Sequence, residues 1–160
     1  MSNPVFGIRN HKLIVALGIA LACAAQAAWG AAGTIIFVTG DVRVQDARGA
    51  SRVALRGEGI NEGDMIVTSP SGQAQLRMGD GAFLAVRPDT QMRFDAYKFA
   101  GKEDGTENAL ISLVKGGFRS ITGLIGNANK NKYQVRTAVA TIGIRGTDFE
   151  TRHFPAEGEE

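Results

Sequence analysis

The chain has very little cysteine and histidine. Cys23 is the only cysteine among 160 residues and lies in an apolar N-terminal run, so the remainder can form neither a disulfide framework nor a thiolate zinc site. Of the two histidines, His11 sits in the same leader and only His153 follows it. A metal site would need oxygen ligands alone, and no Asp-x-Asp-x-Asp calcium loop is present, so no metal or cofactor is expected. G-x-S-x-G and H-E-x-x-H are both missing, which removes the commonest hydrolase and zinc-protease arrangements. A carboxylate pair of the glycosidase kind, for example Glu58 and Glu62, would sit in one glycine-rich turn with nothing to supply a substrate cleft. The expectation is a protein without catalytic activity. Two tyrosines and one tryptophan offer little stacking surface, which disfavours a nucleic-acid partner.

What is present begins with the leader. Arg9, His11 and Lys12 precede an uncharged apolar run, and Ala25-Gln26-Ala27 has the small-residue form of a cleavage site, which predicts a helical signal peptide over residues 1–27 and a periplasmic or secreted product. Two alternatives remain. Residues 13–32 carry no charge and reach about the 20 residues that a membrane anchor needs. Lipidation at Cys23 is the other, and either would place the protein on a membrane. Removing the leader takes away Arg9 and Lys12 but no acid, so 18 basic against 16 acidic residues becomes 16 against 16.

The rest reads as strand, turn, strand. Val42 and Val44 alternate with polar neighbours, as do Ala74, Leu76 and Met78, and then Met92 and Phe94. Gly-rich and Asp-rich turns separate these runs, and Asp80-Gly81 predicts a hairpin between "QLRM" and "AFLAV". Gly40-Asp41, Gly63-Asp64 and Gly79-Asp80 each precede a strand, with turn chemistry as the role of the carboxylates. Residues 98–108 read as a mobile polar loop with solvated acids. The following run, 109–115, reads as a strand buried on both faces, central or crossing between sheets, that Gly116-Gly117 breaks. No sustained helical period is present after the leader. The prediction is an all-β domain of twisted, rolled antiparallel sheets, solenoid-like or sandwich-like, over 33–151, with a polar tail at 152–160.

Several of these pieces occur together in one order. "VTGDVRV", the aspartate-glycine hairpin and the terminal "VRTAVATIGIRGTDF" at 135–149 resemble the FecR domain family. The resemblance implies an envelope signalling or protein-interaction module, and it marks Gly143, Arg145, Gly146, Thr147 and Phe149 as a signature. The ferric-citrate regulators of that family carry a cytoplasmic segment and a membrane helix before the domain; here a short leader stands directly before it, which predicts a stand-alone domain. Physically, the glycines suit a bulged strand, Phe149 suits the core, and Arg145 suits a tie to a neighbouring carbonyl or carboxylate. A ligand loop is the competing role. A second surface is suggested by Lys115, Arg119, Lys130, Lys132, Arg136 and Arg145, which have no acid between them along the chain. This sector is either a surface for an anionic, polysaccharide-type polymer or a solvated face balanced by the acidic loop at Glu103 to Glu107.

Overall fold

The computed structural model describes residues 31–102, 104–128, 131–145 and 147–155. The leader, Lys130, Gly146 and the last five residues of the tail therefore lie outside the described residues. The strands are β1 (Gly33–Thr39), β2 (Val42–Gln45), β3 (Ser51–Val53), β4 (Gly59–Ile60), β5 (Met65–Thr68), β6 (Gln73–Met78), β7 (Phe83–Val86), β8 (Gln91–Lys98), β9 (Asn108–Ile121), β10 (Tyr133–Arg136), β11 (Thr141–Gly143) and β12 (Asp148–His153). A single turn of helix, α1 (Leu124–Ala128), stands between β9 and β10.

The long strand β9 organises everything else. Its first half pairs antiparallel with β8 and parallel with β10, and its second half pairs antiparallel with β7 and β12. Two strand sets meet on it, β3-β2-β5-β8 on one side of the bend and β7-β6-β1-β4 on the other, so the all-β sheet is curled and mostly antiparallel. The parallel β9/β10 pair departs from the expected all-antiparallel arrangement. It exists because the chain crosses over through α1 before returning.

The alternation seen in the sequence is the inward face of this sheet. Val42 and Val44, Ala74, Leu76 and Met78, Leu84 and Val86, and Met92 and Phe94 are all buried, with Tyr133 and Val135 closing the same core. The hairpin at Asp80-Gly81 joins β6 to β7 as expected.

Gly116 does not end the strand. It bends it, with φ of 84°, and a Cβ there would lie 2.4 Å from the Asp89 carbonyl oxygen and from Thr90 Oγ1. The register skips at the same place, since Gln91 faces Lys115 while Met92 faces Leu113. Buried Thr90 fastens the bend: the Gly117 N–H donates to its Oγ1 at 2.9 Å, and the hydroxyl lies 3.1 Å from the Gly117 carbonyl.

The turn aspartates divide. The Asp64 carboxylate accepts the Asn61 N–H at 3.0 Å and is buried, whereas Asp41 is exposed, 3.8 Å from Arg43. Asp80 goes furthest. Its buried carboxylate accepts the Ala82 N–H at 3.0 Å, the Tyr97 hydroxyl at 2.7 Å and the Ile125 N–H at 3.2 Å. That last bond, with the Leu124 N–H on the Asp80 carbonyl at 3.0 Å, starts α1 where the local sequence has no helical period. Burial above all, then nearby Tyr133 and Asp80, pushes the Tyr97 hydroxyl far above the usual phenol range, so it stays a donor. The polar loop also departs from expectation. Glu107 is buried, accepts the Gly105 N–H at 2.7 Å and faces Lys132 Nζ at 3.8 Å.

Candidate functional site

The segment 136–149 splits into a part that holds the fold and a part that stands on its surface. Strands β10 and β11 form a hairpin in which Arg136 faces Thr141 and Gln134 faces Gly143. Thr137 closes the turn, donating its N–H to the Ala140 carbonyl at 2.8 Å while its hydroxyl oxygen accepts the Ala140 N–H at 3.2 Å. The side chains around that turn point away from the core. Val139 is 79% exposed and Ile142 44% exposed. β11 pairs with β10 alone among the described residues, so its other backbone edge is open.

Beyond β11 the chain leaves one half of the sheet for the other. Ile144 turns inward, buried, and donates its N–H to the Tyr133 carbonyl at 2.9 Å. Thr147 is exposed, and its carbonyl accepts the Thr122 N–H at 2.8 Å. Phe149 packs edge-on against Phe118 and Tyr133, with ring centroids 5.9 Å away in each case. Phe149 is partly buried there, packed against the core.

The expectations for its neighbours need correction. Gly143 has an ordinary φ, and a Cβ there would meet nothing within 4 Å, so no close backbone approach requires a glycine. Arg145 is exposed and ties to no neighbour: among the described residues it has neither a hydrogen bond nor an ion pair. Asp148 pairs instead with Arg119 from β9, with Nε to Oδ1 at 2.9 Å. The hydrogen bond from Arg119 holds the Asp148 carboxyl below the usual carboxylate range. Strand β12 pairs in unbroken register with β9, so no bulge lies in it. Ile144 escaped the sequence reading, because alternation would put it on the same face as exposed Ile142 and only the crossing turns it inward. Gly146 is outside the described residues.

Four cations of the basic sector each have a carboxylate beside them. Lys115 lies 3.1 Å from Asp89, Arg119 is bound to Asp148, Lys132 faces Glu107, and Arg136 lies 4.0 Å from Asp95. Every acid in these pairs comes from a different part of the chain, so a stretch free of carboxylates in sequence is supplied with them in space. Lys130 lies outside the described residues.

Of the four paired cations, Arg136 has the longest ion-pair distance. Its guanidinium makes no hydrogen bond among the described residues and its side chain is 52% exposed. It shares Asp95 with Arg93, whose Nε donates at 2.6 Å, and with the Ser112 hydroxyl. Asp95 reaches them because the β8/β9 register skips between Phe94 and Ala96. Arg93, Ser112, Val114, Arg136, Thr137 and His153 line an open cleft of about 470 Å³ beside the hairpin. A larger cleft of about 630 Å³ lies by Asn61, Glu62, Asp95 and Tyr97.

Glu58 does not join Glu62 at that larger cleft. It is bound to Arg52 and accepts the Leu55 N–H at 3.1 Å. Burial pushes its carboxyl up, but the Arg52 hydrogen bond and the Leu55 N–H outweigh this and hold it below the usual range. A general acid needs the opposite shift. Among the described residues no group of His, Cys, Asp or Glu is clustered for a metal, and no helix is long and apolar enough to cross a membrane.

The family model described as FecR protein matches residues 64–159. No curated protein matches. Among solved structures, one described as a "Cell surface anchoring domain" is similar at 31% identity, covering 39% of this chain and 82% of that chain, with a TM-score of 0.38.

Proposed function

This chain belongs to the FecR family, and from that premise we propose that it is a non-catalytic envelope module, periplasmic or secreted, that works by pairing with another protein through the β10–β11 hairpin. The observation that carries the reading is the edge of β11, open among the described residues and flanked by exposed Val139 and Ile142 and by Arg145, which has no partner among them. Soluble proteins blunt or cover such edges, because unpaired strand N–H and C=O groups recruit another strand. An edge left open beside apolar side chains suits strand addition, in which main-chain hydrogen bonds give affinity and alternate side chains give selectivity. The envelope placement rests on the basic, apolar and A-x-A sequence of residues 9–27.

Crosslinking pulldown from envelope extract tests the reading, with wild type set against Ile142→Asp and Val139→Asp. Both variants are expected to melt like the parent, because the substituted side chains are exposed, and to lose the partner. Retention of the captured protein by both variants would overturn the hairpin as the contact. Binding to cell-wall sacculi in place of protein capture would overturn the protein-interaction reading in favour of a polysaccharide ligand.

A further inference from the structure

The sheet sets a line of side chains that runs directly to the open edge. Met65 faces Arg93, Arg93 faces Ser112, Ser112 faces Arg136, and Arg136 faces Thr141. Directly opposed residues share a face of the sheet, so these five form one row across β5, β8, β9, β10 and β11. A strand added to β11 would place one residue opposite Thr141, as the next member of the row. Strands stand about 4.8 Å apart, so that residue's backbone lies on the order of 10 Å from that of Arg136. An arginine and an acidic side chain on the same face bridge such a span.

The charge along the row is unbalanced. Arg93 and Arg136 share Asp95, and Asp95 already accepts from Arg93 Nε and from the Ser112 hydroxyl. Arg136 is left with a 4.0 Å pair, no hydrogen bond among the described residues, and a half-exposed guanidinium that offers a forked set of donors. The cleft beside it has a second unmet polar group: His153 Nε2 is shut off from solvent and has no hydrogen-bond partner among the described residues. Apart from Thr137, the rest of the wall is apolar, with Leu113, Val114, Ala138 and Pro155. An alternating apolar strand carrying a carboxylate complements each of these features.

We infer that the partner segment is an extended acidic peptide whose carboxylate, opposite Thr141, is received by Arg136 in the cleft shared with Arg93 and His153. This rests on the strand-addition reading above and adds the chemistry of the occupant. Arg136 gains the hydrogen bonds that Asp95 does not provide.

The test uses the full chain and the labelled peptide Thr-Val-Glu-Val-Thr-Val, with counterparts bearing Gln or Lys in place of Glu, followed by fluorescence anisotropy. The Glu peptide is expected to bind about tenfold more tightly than the Gln peptide, and the Lys peptide more weakly still. Raising salt from roughly 0.05 to 0.5 M should narrow the gap between Glu and Gln. Arg136→Gln should abolish the preference while keeping the melting temperature, because the residue is exposed. Equal binding of the Glu and Gln peptides, or a preference that survives in Arg136→Gln, would overturn the acidic-peptide inference and leave strand addition standing. Failure of all three peptides to bind would overturn strand addition to β11 and the inference with it.

Discussion

The Asp80 turn and the β10–β11 hairpin carry similar short motifs, glycine beside a charged residue at a change of chain direction, yet they sit at opposite physical extremes. At Asp80 every carboxylate oxygen is used, and a Cβ on Gly123 would lie 2.5 Å from the Asp80 carbonyl. At the hairpin, a Cβ on Gly143 would touch nothing and Arg145 bonds to nothing described. A buried carboxylate with three donors locks three distant segments together, because leaving any of them unmet is costly in a low dielectric. An exposed arginine beside an open edge holds nothing in place, so the demands on it come from outside the fold.

The comparison breaks most sharply at its buried end. Asp80→Ala removes the acceptor from Tyr97, Ala82 and Ile125 and should destabilise by about 3 to 5 kcal/mol, seen as a lowered urea midpoint. A melt like that of the parent would mean the turn is not the lock described. Phe149→Ala comes next. The ring is only partly buried between Phe118 and Tyr133, so a loss of about 2 to 3 kcal/mol is expected, at the low end for an aromatic truncation. At the other end, Gly143→Ala should move stability by no more than about 0.5 kcal/mol, since the added methyl meets open space. A large loss in thermal melts would show that the glycine is architectural after all.

A pH titration supplies the finest distinction. Asp148 has its folded carboxyl pKa lowered by Arg119, so its contribution is present above the unfolded carboxylate pKa and is lost as pH falls through the folded value. In Arg119→Gln that share of the acid-side slope should disappear, with the Asp148 carboxyl resonance titrating at a higher pH than in the parent. An unchanged titration would show that the ion pair is not formed in solution. The effect is small because both side chains are solvated.

How much of this was legible beforehand follows from which partners are local. Alternation gave away the inner faces of β2, β6 and β8, because period two is a property of the strand itself. Asp80 was readable as a turn former, since Ala82 is two residues away. It was not readable as a lock, because Tyr97 and Ile125 reach it only through the fold. Gly116 looked like a strand end because positive φ usually ends one; Thr90 and the skipped register convert it into a bend. The partners of the basic sector were hidden for the same reason in reverse: Glu107 belongs to the acidic loop expected to balance it, but Asp89, Asp95 and Asp148 arrive from outside that loop. At the candidate site, the family-like residues could be found in the sequence, but their exposure could not. Side chains in the terminal segment are separated into inside and outside by the crossing at Ile144, and a crossing between sheet halves has no local signature.

The parallel pairing of β10 with β9 gives the hairpin a particular mechanical character. A pull along β11 toward a partner loads Tyr133–Arg136 against residues 109–112 lengthwise, so the backbone bonds across that register strain together rather than in turn. A pull outward on the end of β12 instead opens His153 from Gly116, then Arg152 from Gly117, and so on, one pair at a time. Equal forces applied at the two edges would therefore meet unequal resistance: shear at the hairpin where the partner is proposed to grip, and peeling at the last strand.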